Sequence, residues 1–152
     1  MPTTFATASE LQALVGQEVA ASEWLVIAQP RIDQFAEATE DRQWIHLDAE
    51  RARRESPYGA TIAHGFLTLS LITHLLETTI TIGGLRMGVN YGFNRVRFPA
   101  PVREGVRIRG HFSVGAFEEI VGGFQITWGV VIEVEESSKP ACVAEWLVRV
   151  YV

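Results

Sequence analysis

Two side chains that can exchange protons, Asp41 and His46, lie close together in the sequence, and Gly65 follows at the start of a long apolar run. An imidazole has a pKa of about 6.5 and a carboxylate is normally ionised at neutral pH, so such a pair can take a proton from water and return one elsewhere. The first amides of a helix have no partner within it and can bind a negatively charged oxygen. The stretch from Thr39 to Ser70 therefore supplies an acid, a base and an anion-binding amide.

The spacing of Asp41 and His46 restricts how they can cooperate. On a regular helix, side chains at this spacing point about 140° away from each other, and on a strand they lie on opposite faces. We therefore expect an irregular loop between them that folds back. The alternative interpretation is structural, with Asp41 as a helix cap and His46 as a hydrogen-bonded imidazole. His64 is expected to be structural as well and to bond the loop before the helix.

The size and charge of the chain limit its class. Its 152 residues fit one domain, residues 1–152, and a chain of this length buries about 70% of its unfolded surface. The formal net charge of −5 disfavours nucleic acid and anionic membranes as partners, and no apolar stretch is long enough to span a bilayer. Cys142 lies in an apolar alternating segment and is expected in the core. We expect a soluble, cytoplasmic protein without a signal peptide.

Helical signals occupy the first half of the chain. We predict a short helix over Ser9–Val15 followed by a glycine cap, and a second helix over Pro30–Thr39. A third, over Asp48–Arg54, is capped by its first residue. Between His64 and Thr79 the apolar residues cover nearly every face, which predicts one long buried helix.

The second half of the chain changes to the alternating period of strands. We predict strands over Val89–Phe98, Val106–Val114, Phe124–Val134 and Cys142–Val152, and an earlier strand over Trp24–Ala28. A long buried helix with antiparallel strands on both sides of it in the sequence predicts an α+β hotdog fold, in which a curved sheet wraps a central helix. Such a sheet leaves an edge strand exposed, so a homodimer is expected.

Three segments resemble a known family: Phe35-Ala36-x-Ala38-Thr39-x-Asp41-x-Gln43-Trp44-Ile45-His46-x-Asp48, Ile62-Ala63-His64-Gly65-Phe66-Leu67 and Val96-Arg97-Phe98-Pro99-Ala100-Pro101-Val102. The family is that of the MaoC-like dehydratases, also called (R)-specific enoyl-CoA hydratases. The chain is more closely similar to the branch that resembles nodulation protein N.

The resemblance implies roles for individual residues. It places the general acid/base pair on Asp41 and His46 and an oxyanion-hole donor on the backbone N–H of Gly65. It also implies substrate-lining positions at Thr73, Tyr58, Gly59 and Phe66. It implies no metal and no redox cofactor.

The function implied is the interconversion of trans-2-enoyl thioesters and (R)-3-hydroxyacyl thioesters by addition or removal of water. The substrate is carried by coenzyme A or acyl carrier protein. Two alternatives remain open, an acyl-CoA thioesterase with the same fold and a non-catalytic acyl-thioester binding protein. A set of arginines on the strands is read as a solvated face, or else as a site for the phosphates of the carrier: Arg95, Arg97, Arg103, Arg107 and Arg109.

Overall fold

A curved antiparallel sheet packed around a central helical segment forms the body of this protein. The computed structural model describes all 152 residues, from Met1 to Val152. The helices are α1 (Gln29–Thr39), α2 (Trp44–Leu47), α3 (Ala49–Glu55), α4 (Gly65–Ser70) and α5 (Ile72–Glu77). The strands are β1 (Thr3–Phe5), β2 (Glu18–Ala21), β3 (Leu25–Val26), β4 (Ile80–Ile82), β5 (Met87–Arg97), β6 (Arg107–Ile120), β7 (Gly123–Val134) and β8 (Cys142–Tyr151).

The main sheet has the strand order β2, β6, β7, β8, β5, and β3 also pairs with β6. All of its pairings are antiparallel. A separate two-stranded parallel sheet joins β1 to β4. The four long predicted strands are confirmed, and the predicted α+β class with them. The strand predicted over Trp24–Ala28 is reduced to the two residues of β3. Strands β1, β2 and β4 were not predicted, because segments this short show no clear alternation.

The predicted single long helix is wrong in one respect, because it is divided into α4 and α5 at Leu71. The Leu71 N–H bonds both Leu67 O and Thr68 O, at 3.1 and 3.3 Å. The Ser70 hydroxyl donates to Phe66 O at 2.7 Å, and such side-chain bonds to the preceding turn bend helices. Phe66 is also 68% exposed, so the segment is not buried on every face. No helix of this protein combines the length and apolar character that crossing a membrane requires.

Two further helix predictions are refined by the structure. The helix expected over Ser9–Val15 is a 3-10 helix, Ala8–Leu14, and the glycine after it, Gly16, has the positive φ of +88° expected of a cap. The predicted cap of α3 is confirmed, since the Asp48 carboxylate accepts a hydrogen bond from Arg51 N at 3.0 Å.

The core lies between the inner face of the sheet and α5. The alternation predicted from the sequence is confirmed over residues 108–114, 126–134 and 142–150, where every second residue is buried and its neighbours are not. Trp128 and Trp146 are among the largest fully buried side chains. Cys142 is buried and unpaired, and burial raises the pKa of its thiol to about 11, so it is a core residue as predicted.

The outer face of β6 and β7 carries a row of paired charges. Arg109 bonds Glu133 at 2.7 Å, and His111 bonds Glu133 at 2.7 Å and Glu18 of β2 at 3.0 Å. Arg107 pairs with Glu135 in the same row. Two of the five arginines considered for phosphate binding are therefore engaged with carboxylates on a solvated face.

Candidate active site

The loop after α1 carries Asp41. Thr39 ends the helix, its hydroxyl donates to Phe35 O at 2.8 Å, and Glu40 takes a left-handed conformation with φ of 62° that turns the chain. The irregular loop expected between Asp41 and His46 is short, because the helical turn α2 already begins at Trp44. His46 thus lies on a helical turn, and the loop that precedes this turn folds Asp41 back toward it.

Two hydrogen bonds fix His46. Its Nδ1–H donates to Ile62 O at 2.7 Å, and its backbone carbonyl accepts from the Gln29 side-chain amide at 2.7 Å. A carbonyl oxygen can only accept, so Nδ1 carries the proton and the lone pair of the neutral ring is on Nε2. The structure therefore leaves one nitrogen of His46 available as a base.

Asp41, His46 and His64 converge. One nitrogen or carboxylate oxygen from each of them lies within 4.8 Å of those of the other two. Two hydrogen bonds through one water span about 5 Å, so Asp41 and His46 can share a water molecule. Asp41 is exposed whereas His46 is only 6% exposed, so this site opens to solvent on the carboxylate side.

His64 lies beside the pair and is buried. Its ring stacks on that of His46 with centroids 3.8 Å apart, and its Nε2–H donates to Asp41 O at 2.9 Å. The expectation that His64 bonds the loop before its own helix is wrong in its partner, because the loop that it bonds is the one that carries Asp41.

Gly65 begins α4 directly after His64. Its amide is the first of the helix, so the helix offers it no acceptor. A Cβ at this position would lie 3.0 Å from the Phe98 ring, so glycine keeps this approach open. Gly65, Tyr58 and Thr68 line a cleft of about 280 Å³ together with residues of the segment after β5.

The other predicted substrate-lining residues are not gathered at this cleft. Thr73 lies on α5 and lines a separate groove. Gly59 sits in a turn with φ of +70°, and Phe66 points to solvent with its ring edge-on to Phe98 at 6.2 Å. Their roles toward a substrate stay predictions.

The groove that contains Thr73 is lined mainly by apolar residues and has a volume of about 410 Å³. It runs between α5 and the inner face of the sheet, and its lining includes Leu76, Ile126, Trp128 and Trp146. An apolar groove of this kind suits a hydrocarbon chain.

The Asp41, His46 and His64 cluster is also the set of side chains that could be considered for a metal ion. The two imidazole planes differ by only 24° and stack face to face. A metal such as Zn²⁺ lies in the plane of each ligating ring, about 2.0–2.1 Å from its nitrogen, and two stacked rings share no such point. The geometry therefore fits a pair of proton-transfer groups better than a metal centre.

Two polar residues that position the site, Gln29 and Thr61, carried no signal in the sequence. Gln29, at the start of α1, bonds the His46 carbonyl and accepts from the Thr61 hydroxyl at 2.6 Å. Thr61 is 1% exposed, and its neighbour Ile62 supplies the carbonyl that fixes the His46 ring. Isolated polar residues at such positions are common, so no pattern could have singled them out.

The surroundings of His46 shift its pKa downward. Burial lowers the pKa most, the carbonyl of Ile62 raises it, the neighbouring His64 lowers it, and Asp41 raises it. The net pKa lies below the ordinary value of 6.5. His46 is therefore a neutral imidazole at neutral pH.

Fold and site together define a hotdog-fold protein with a carboxylate and an imidazole converging beside a helix start. The chain belongs to the MaoC family, since residues 10–134 match the MaoC like domain. It is 47% identical over 147 residues to 3-hydroxyacyl-thioester dehydratase Z of Mycobacterium tuberculosis, covering 96% of this chain and 97% of that protein. It is 42% identical over 146 residues to nodulation protein N of Rhizobium meliloti, covering 91% of this chain and 88% of that protein.

The fold is also shared with solved structures. The unliganded R-hydratase from Pseudomonas aeruginosa has a TM-score of 0.71 at 24% identity, over 90% of this chain and 81% of that chain. The predicted family and the predicted hotdog fold are therefore both confirmed.

Proposed function

We propose that this protein is a hydratase/dehydratase that interconverts trans-2-enoyl thioesters and (R)-3-hydroxyacyl thioesters. The observation that carries the proposal is the convergence of Asp41 and His46 within the reach of one water. A relative that is 47% identical over 96% of this chain is named a 3-hydroxyacyl-thioester dehydratase, which supports the same reaction.

The proposed chemistry assigns one task to each group. His46 Nε2 takes a proton from the water while the oxygen of that water adds to Cβ of the enoyl thioester. The electron pair of the double bond moves toward the thioester oxygen. The resulting enolate oxygen accepts a hydrogen bond from the Gly65 N–H. The proton taken up by His46 Nε2 then returns to Cα on the same side, either directly or through the Asp41 carboxylate, so that His46 ends neutral. The Asp41 carboxylate also orients the water. Dehydration is the reverse of these steps.

The substrate carrier is proposed to be coenzyme A or acyl carrier protein. The acyl chain is proposed to lie in the apolar groove that Thr73 lines beside α5. No metal or redox cofactor enters the proposed steps, because the side chains supply both proton transfers and the backbone supplies the oxyanion donor. A cytoplasmic location is part of the same proposal.

The direct test is the hydration of crotonyl-CoA and longer enoyl-CoAs by the purified protein, followed as loss of the enoyl absorbance. Chiral analysis of the product is expected to give the (R)-alcohol. Absence of turnover across chain lengths and with enoyl-acyl carrier protein would contradict the proposal. Release of free thiol from saturated acyl-CoA, without hydration, would instead identify a thioesterase, and acyl-CoA binding without any turnover would identify a binding protein.

The lowered pKa of His46 sets the pH dependence. The base is present above its pKa and is lost as the pH falls through it, so kcat/KM should stay level from neutral pH to below 6.5 and fall only at lower pH. The unfolded chain takes up the proton first, so the free energy of unfolding also decreases as the pH falls below about 6.5. Initial rates with crotonyl-CoA across pH test this expectation, with His111→Gln as a control that should keep the same acid limb. An acid limb centred above 6.5 would contradict it.

We also propose that the protein works as a homodimer. Strand β5 is an outer edge of the main sheet, and it exposes the apolar side chains Val89, Tyr91 and Phe93. An edge of this length with apolar side chains is normally covered in a folded protein.

Light scattering during gel filtration should give about twice the chain mass of 16.9 kDa. Tyr91→Glu should shift the mass toward that of one chain, because it puts a charge on that edge. Arg149, whose guanidinium lies 3.6 Å from the centre of the Tyr91 ring, can pair with the new carboxylate within the same chain. A wild-type protein that runs as a monomer at micromolar concentration would contradict the dimer.

A further inference from the structure

His64 is a buried imidazole that the proposed reaction leaves without a task. It is 2% exposed, and it contacts both proton-transfer groups of the site. We propose that His64 is a positioning residue: its Nε2–H holds the backbone of Asp41 and its ring braces that of His46, so that both groups face one water. This inference rests on the proposed hydratase function, but the contacts of His64 with Asp41 and His46 can be tested separately.

The hydrogen bond from His64 is the main attachment of the Asp41 backbone. The His64 Nε2–H to Asp41 O distance is 2.9 Å. The bonds within the loop itself are long, with 3.5 Å from Asp41 N to the Thr39 hydroxyl and 3.4 Å from Gln43 N to the Asp41 carboxylate. Arg42 next to Asp41 pairs with Glu37 of α1 at 3.1 Å, but that exposed ion pair does not hold the Asp41 backbone. With such weak local bonds, the position of the Asp41 carbonyl depends on a partner from another element. His64, from the start of α4, supplies that partner.

The ring of His64 fills the space between two other rings. His46 stacks on it with centroids 3.8 Å apart, and Phe35 of α1 lies 4.9 Å away with a tilt of 56°. His46 is itself only 6% exposed. A ring enclosed in this way cannot rotate without moving its neighbours, so the stack restricts the direction of His46 Nε2.

The hydrogen bonds also fix the tautomer of His64. Because the Asp41 carbonyl only accepts, Nε2 carries the proton, and no protein group donates to the buried Nδ1. The structure therefore gives His64 the tautomer whose Nε2–H holds the Asp41 backbone.

Two substitutions separate the two contacts of His64. His64→Phe keeps a ring against His46 but removes the donor to Asp41, and it should lower kcat for crotonyl-CoA by about 10²-fold with little change in KM, since a small misplacement costs this much. His64→Gln keeps a donor at the position of Nε2 but removes the ring. Its kcat should fall less. The acid limb of kcat/KM should move to higher pH, because the His46 ring becomes less buried and burial is what lowers its pKa most.

The control is His111→Gln, which removes an imidazole from the outer face of the sheet and should change neither kcat nor the acid limb. Wild-type kcat and an unshifted acid limb in both His64 variants would overturn the inference. So would losses that match the unfolded fraction seen by circular dichroism, because His64 would then be needed only for stability.

A measurement on the wild-type protein keeps the inference testable if a variant does not fold. Nitrogen-15 spectra of the imidazoles at neutral pH should show the proton on Nε2 of His64 and on Nδ1 of His46. The opposite tautomer at His64 would overturn the inference, since the Asp41 carbonyl would lose its donor. If the wild-type protein hydrates no enoyl thioester, the proposed function fails, and these spectra still decide whether His64 holds Asp41.

Discussion

Asp41→Asn is expected to reduce kcat for enoyl-CoA hydration by about 10²- to 10⁴-fold, the usual effect of losing a positioned acid or base. The substitution removes the negative charge but keeps an oxygen in place. The fold should tolerate it, because the exposed Asp41 carboxylate makes only one long backbone bond, 3.4 Å from Gln43 N. Steady-state kinetics and a thermal melt on the same preparation separate lost chemistry from lost structure.

Asp48→Asn is the matched control for this experiment. Asp48 lies on the same part of the chain and accepts from Arg51 N at the start of α3. Asparagine caps a helix about as well as aspartate, so this variant should keep both its stability and its activity. Full activity in Asp41→Asn, or an equal loss in Asp48→Asn, would contradict the proposed role of Asp41.

The same prediction extends to His46. His46→Asn can keep a donor toward Ile62 O while removing the nitrogen that faces the water, so it should lower kcat by a similar factor without unfolding the site. If both groups act on one water, the double variant should lose little more than the more damaging single variant. Losses that multiply would show that the two residues act independently.

Gly65→Pro is expected to be slower than Gly65→Ala by about 10²- to 10³-fold in kcat, the usual effect of removing one oxyanion donor. Both variants place a Cβ about 3.0 Å from the Phe98 ring, which is 41% exposed and can shift. Only proline removes the N–H. The ratio of the two rates therefore removes the effect of the Cβ and reports the loss of the amide, whose hydrogen the proline Cδ replaces.

The backbone at this position accepts proline. Gly65 is the first residue of α4, where proline is favoured, and His64 before it has φ of −60° and ψ of 138°, the extended conformation that a residue before proline requires. Equal rates for the two variants, with similar melting temperatures, would show that the Gly65 amide does not stabilise the reaction. An inactive Gly65→Ala would show that space beside Phe98 matters more than the donor.

The sequence by itself determined which face of each long strand is buried, because alternation reports burial directly and needs no knowledge of distant partners. It also determined the class of fold, since one apolar helical segment and several alternating strands fit few arrangements. The family followed from the resemblance of three short segments to known sequences. The reactive residue types were readable for the same reason: Asp41, His46 and Gly65 keep their chemistry wherever the chain places them.

The tertiary structure decided how those residues meet. Asp41 and His46 converge because Ile62, Gln29 and His64, which come from other elements, hold them by hydrogen bonds and stacking. Contacts between residues this far apart in the chain depend on how the elements pack, and a local pattern does not contain that information. The same reason explains why only the structure placed Thr73 in a separate groove and gave His64 its position beside the site.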